Sequence, residues 1–151
     1  MKIKRICRLM PASFFLMVAA LATTGQCDSR EAWGVAPQAC TPAPGSAERR
    51  EILDAMRKKV KALHAIDVIF VVRTMTVSKG WAWVHTRPRS KDGTRNYEDF
   101  YALLHREQGR WAVVEIPCTE PDNSDCIESP GYFKKLSARF SGLPSNILPE
   151  E

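Results

Sequence analysis

Four runs of β-forming residues follow one another between Val68 and Pro117, and the links joining them are short. The runs are Val68–Val77 (VIFVVRTMTV), Trp81–Arg87 (WAWVHTR), Tyr97–Arg106 (YEDFYALLHR) and Trp111–Pro117 (WAVVEIP). β-Branched and aromatic side chains dominate the first two and the last, which keep no helical period. Tyr97 to His105 has the propensity of a helix, but the hairpin signal before it and Trp111 after it favour a strand. Ser78-Lys79-Gly80 can turn the first run, Asp92-Gly93 marks a turn in the polar loop from Pro88 to Asn96, and Glu107–Arg110 links the last two. A parallel crossover needs a dozen or more residues, so these links predict an antiparallel meander.

A helix is expected on either side of this sheet. Ser46 is placed to cap one running from Ala47 to about His64, and Ile52, Met56, Val60 and Leu63 recur on one face of it. Glu48 and Glu51 lie early in that helix and Lys58, Lys59 and Lys61 late, an order that suits its dipole. The cationic run Arg57–Lys59 with Lys61 reads as a solvated helix face. Ser129-Pro130 supplies a cap and a first-turn proline for a second helix from Pro130 to about Ser141. Phe133, Leu136 and Phe140 would face the sheet from it, and Gly142 would end it. The resulting class is α+β: an N-terminal helix packed on a four-stranded antiparallel meander, with a C-terminal helix.

The chain ahead of this domain carries an export address. Lys2, Lys4, Arg5 and Arg8 precede an apolar run from Pro11 to Ala22 that ends in Ala20-Leu21-Ala22, the pattern of a cleavable signal peptide over residues 1–22. That run falls short of the roughly 20 residues a bilayer span needs, so no stable membrane span is expected after cleavage. Lipidation of Cys27 is disfavoured because Gln26, immediately before it, is not a small residue. The chain as a whole has 22 Lys+Arg and 17 Asp+Glu, a net charge of +5. Four of the basic residues lie in the signal and every acidic one beyond it, which lowers the charge of the remainder to +1. The case for a nucleic-acid partner goes with those four charges, and no nucleic-acid-binding motif replaces it.

Cleavage also removes Cys7, leaving Cys27, Cys40, Cys118 and Cys126. Four cysteines in an exported chain imply two disulfides. Three pairings are possible, of which Cys27–Cys40 and Cys118–Cys126 close the shortest loops. A zinc site would need paired Cys-x-x-Cys or Cys-x-x-His clusters, which are absent, so neither metal nor cofactor is expected. Residues 23–45 read as an irregular arm restrained by the first disulfide, residues 46–143 as the single domain, and residues 144–151 as a poorly structured tail.

The helix followed by FVVRTMTVSKGWAWVHTRPRS and then YALLHREQGRWAVVEI resembles small exported bacterial proteins with a cystatin-like or NTF2-like sheet. The resemblance covers about residues 47–117 and rests on element order and the positions of the tryptophans. It implies a fold more than an activity, since many such proteins have none assigned. NTF2-like enzymes place an acid and tyrosines inside a conical apolar pocket, and Asp67, Asp99, Tyr97 and Tyr101 are the residues that match. This chain departs from them in having one helix before the sheet, where the enzymes wrap several.

Candidate functional residues fall into three groups. The histidines His64, His85 and His105 are dispersed, though His85 and His105 would be neighbours for some registers of the second and third strands. No cysteine is left free for nucleophilic work and no G-x-S-x-G elbow is present, so the chain is not expected to be an enzyme. Arg87, Arg89, Lys91 and Arg95, with Arg73 on the preceding strand, form a basic group able to grip carboxylates or phosphates. Trp81 and Trp83 share one sheet face, either in the core or as an exposed strip for a partner. The function expected is that of a periplasmic or secreted non-enzymatic binding protein, of inhibitor or immunity type, whose partner is a protein or envelope component. The alternative is an NTF2-like pocket protein that binds or converts a small hydrophobic ligand.

Overall fold

Ser46 starts the first helix as its sequence position dictates. Its backbone is extended and its Oγ accepts the Arg49 amide at 3.2 Å, so one of the four unpaired amides of helix α1 (Ala47–His64) is satisfied. The helix ends where Ala65 turns left-handed and returns its amide to the Lys61 carbonyl at 2.9 Å. Ile52, Met56 and Val60 are buried against the sheet, but Leu63 is 54% exposed. The expected apolar face therefore loses its last member, because the final turn of α1 carries no buried residue. The computed structural model describes residues 38–120, 123 and 125–150. The expected signal peptide and Cys27 lie outside the described residues.

The sheet is the expected meander, in the order β1 (Val68–Ser78), β2 (Trp81–Ser90), β3 (Phe100–Glu107), β4 (Arg110–Glu115), every neighbouring pair antiparallel. Two of its hairpins use the same device. Lys79 and Gly80 both have positive φ (49° and 76°), as do Gln108 and Gly109 (49° and 78°), so each strand pair is closed by a two-residue turn whose twist suits the sheet. β2 runs three residues further than its sequence suggested, through Pro88. The proline is tolerated because its carbonyl, which accepts the Tyr97 amide at 2.9 Å, faces away from β1, and so does its missing N–H. β3 in turn starts at Phe100 rather than Tyr97, since Asn96 and Tyr97 are spent on closing the loop against Arg89 and Pro88.

Alternation sends the two halves of every strand into different cores. Phe70, Met75, Val84, Ala102, Leu104 and Trp111 meet α1 on the first face. Trp81, Trp83 and Leu103 project from the second face onto helix α2 (Tyr132–Arg139) and a short 3-10 turn, Ser145–Ile147. This C-terminal layer differs from expectation at both ends. Ser129 does not cap α2: its hydroxyl donates to the Asn123 carbonyl at 2.6 Å, and Gly131, at φ 75°, takes the N-cap position without a side-chain bond. The tail is also structured, because Ile147 is only 2% exposed and inserts into the second core. Cys118 and Cys126 are disulfide-bonded, closing the loop that leads into α2. Cys40 is disulfide-bonded too, and it pairs by both backbone groups with Val77 at the outer edge of β1.

Candidate functional site

The C-terminal layer covers only part of the second face. Trp81 and Trp83 are 7% and 2% exposed beneath it. Trp81 stacks on His105 at 4.1 Å and meets the edge of Phe140, while Trp83 meets the edge of Phe133. Of the two placements open from sequence, core or exposed strip, the pair takes a core: Ala82, Val84 and Thr86 face away from it into the first core, and α2 occupies the place where a partner would sit.

Further along the same face the cover stops. Register pairs Ile69 with Arg89 and Val71 with Arg87, and Ile69 and Val71 are 36% and 38% exposed. Between Val72 and Thr74 the β1–β2 ladder slips by one residue, leaving Arg73 as the extra residue of a β-bulge. Val71, Arg73, Arg87, Arg89, Asn96 and Tyr97 line a groove of about 360 Å³ there. Of the seven residues singled out from sequence, the groove thus unites three, Arg73, Arg87 and Arg89. Trp81 and Trp83 lie in the second core, and the two remaining basic residues lie in the loop. Lys91 approaches Asp67 at 3.6 Å, and Arg95 is exposed.

That loop is held by its own short side chains. Asp92 accepts from Ser90, from the Thr94 amide at 3.1 Å and from the Thr94 hydroxyl at 2.9 Å, and these donors, Ser90 first, hold its carboxyl below the usual range. Ser90 and Arg95 close the hairpin through backbone and hydroxyl, with Arg95 N to Ser90 Oγ at 3.0 Å.

Beside the groove lies a polar cluster that sequence did not assemble. Arg87 Nε donates to Asp99 Oδ1 at 2.9 Å, His85 Nε2 stands 3.4 Å from Asp99 Oδ2, and His85 stacks on Tyr101 with ring centres 4.2 Å apart. The Arg87 hydrogen bond, then the charges and bond of its neighbours, hold the Asp99 carboxyl below its ordinary range despite partial burial. Tyr101 is shifted the other way, upward, by burial and then by the charges of Asp99 and Glu128. His85 and His105 are not neighbours, because register sets them opposite Tyr101 and Trp81 respectively.

A larger cleft, about 660 Å³, opens where α1 ends, β3 begins and the chain leaves β4. Val60, Ile66, Val68, Phe100, Ile116 and Pro117 give it apolar walls, and Asp99, Tyr97 and Tyr101 also line it. Asp67 does not: it is held by Lys61 at 3.2 Å. A third, smaller cavity of about 320 Å³ adjoins α2, where Arg139 bonds Glu115 at 2.8 Å and burial pushes the Tyr132 hydroxyl up to about 12. Among the described residues no cluster of His, Cys, Asp and Glu is arranged to hold a metal ion, and no helix is long and apolar enough to cross a membrane.

Sequence reading missed Ile69 and Val71 as surface residues. VIFVV has no polar alternation, so nothing in it distinguishes the covered face from the bare one. No family model matches the chain, and neither a curated protein nor a solved structure matches it.

Proposed function

We propose that the chain is an exported, non-enzymatic binding protein that grips an anionic surface on another protein or an envelope component. The observation that carries this reading is the bare part of the second face, where exposed Ile69 and Val71 sit beside Arg73, Arg87 and Arg89. Apolar area supplies association and arginine forks supply recognition of carboxylates or phosphates. The side chains of Arg73 and Arg89 make no ion pair among the described residues, so their charge is available to a partner. A self-bonded loop beside the groove keeps this surface preorganised, which suits an inhibitor or immunity-type role. Export and cleavage after Ala22 belong to the same proposal.

The test is capture from the native envelope with the chain starting at Thr23, beside the Arg73→Glu/Arg89→Glu variant. The wild type is expected to retain a macromolecule at low salt, with at least tenfold weaker retention by the variant and loss in high salt. Equal retention by both, or none by the wild type under gentle conditions, overturns the reading.

The 660 Å³ cleft favours a second reading, an NTF2-like pocket protein for a small ligand, since its volume lies within the ordinary range for such sites. Catalysis is not part of it. Asp99, the acid on its wall, is held at low pKa by Arg87, the opposite of the upward tuning a general base uses near neutral pH.

A further inference from the structure

The charge on the cleft wall is one-sided. Glu98, Asp99 and Glu120 line it, and no lysine or arginine does among the described residues. Asp99 is already engaged by Arg87 and faces His85. Glu98 and Glu120 are exposed and have no ion-pair partner among the described residues. Lys61 and Lys91 both converge on Asp67, at 3.2 and 3.6 Å, and Asp67 is not on the wall. His64 is the one basic side chain on the wall.

Behind these carboxylates the walls are apolar. Val60 and Val68 are 3% and 4% exposed, and Phe100 is fixed by stacking on Phe70 at 5.8 Å. Tyr97, half-buried and part of the wall, adds an aromatic ring. Apolar body, aromatic ring and uncompensated carboxylates together specify the occupant by charge as well as by shape. An anion would meet Glu98 and Glu120 with only His64 on the wall to set against them, and a neutral ligand would use the walls alone.

We propose that the cleft binds an amphipathic organic cation, an ammonium group on an aromatic or branched apolar body, with the ammonium at Glu98 and Glu120 and the body between Val60, Phe100 and Ile116. The proposal rests on the small-ligand reading of the cleft and adds the ligand's charge.

Three probes that differ only in the head group separate the two layers of this argument. The full chain is titrated with 3-phenylpropylamine, 3-phenylpropanol and 3-phenylpropanoate at low salt, following amide resonances of Val60, Phe100 and Ile116. The amine is expected to bind about tenfold more tightly than the alcohol, the sum of two exposed ion pairs and a ring contact, with the carboxylate weakest. In Glu98→Gln/Glu120→Gln, whose substitutions are on the surface and spare the core, the amine should lose most of its advantage over the alcohol, keeping only what the ring contact supplies. Equal binding of amine and alcohol to the wild type, or an unchanged amine affinity in the variant, overturns the cation assignment and leaves the pocket standing. If none of the three probes moves these resonances, both the assignment and the pocket reading fall.

Discussion

Asp99 joins three features that the sequence keeps apart. It lies 12 residues from Arg87 and 14 from His85, and only the β2–β3 register, which ends with Thr86 opposite Phe100, brings the three side chains together. The consequence is thermodynamic. Arg87 holds the folded-state pKa of Asp99 below the unfolded value, so the pair's contribution to stability is present above about pH 4 and is lost as pH falls through the folded value. Asp99→Asn should therefore destabilise the protein near neutral pH, and the gap between variant and parent should close in acid. Thermal unfolding from pH 2 to 7 on both proteins checks this. Comparing the pair cancels Asp67 and Asp92, whose carboxyls are also held low, by Lys61 and by Ser90 in the first place. A gap that persists unchanged at pH 2 would mean that Asn at this position fails for packing and not for charge. Asp99 is about one-third exposed, so the effect near neutrality stays within about 1 kcal/mol.

At the level of elements, legibility followed how local the determinants were. Helix α1 could be read to the residue because Ser46, the i,i+4 apolar positions and the charge order all act within one or two turns. The hairpins were equally local, and their twin turns make a sharp prediction. Gly109 sits at φ 78° with nothing within 4 Å of where a Cβ would stand, so Gly109→Ala should cost about 1 kcal/mol from backbone strain alone. Chemical denaturation should show the midpoint falling with an unchanged slope, and an unchanged midpoint would show the turn type to be wrong. Other features were not local and could not be read. The bulge at Arg73 is a mismatch between two strands, invisible in either one, yet it leaves an arginine free to join the groove with Val71 and Arg87. Helix α2 has only eight residues and no side-chain cap, and the residues that signalled its start, Ser129 and Pro130, are used in the turn before it. Where α2 lands decides which part of the second face is bare, and that position depends on Leu136 and Ile147 finding Trp81, Trp83 and Leu103.

At the scale of the whole molecule, the described residues form one sheet between two unequal layers. The first layer is a helix of 18 residues with a capped start and a left-handed end. The second is a helix of eight residues beginning on Gly131, a 3-10 turn, and an anchor of Leu136 and Ile147, tied to β4 by the Arg139–Glu115 pair at 2.8 Å. Short helices depend on tertiary contact for nearly all of their stability, so the two layers should not open together. Hydrogen exchange is expected to report faster opening for residues 132–148 than for Met56 in α1 or Val84 in β2. Leu136→Ala, which removes a fully buried side chain, should widen that difference, cost about 2–5 kcal/mol and shift tryptophan emission to the red as Trp81 and Trp83 meet water. Equal exchange in both layers would show a single cooperative unit. The outcome bears on binding, because Trp83 lies on the same sheet face as Val71 and Ile69, with His85 two residues and Arg87 four residues further along β2. A second layer that opens first would add the tryptophans to the arginine groove as one continuous face. Leu136→Ala should then bind an anionic partner at least as tightly as the wild type, whereas a rigid second layer confines recognition to Ile69, Val71 and the three arginines.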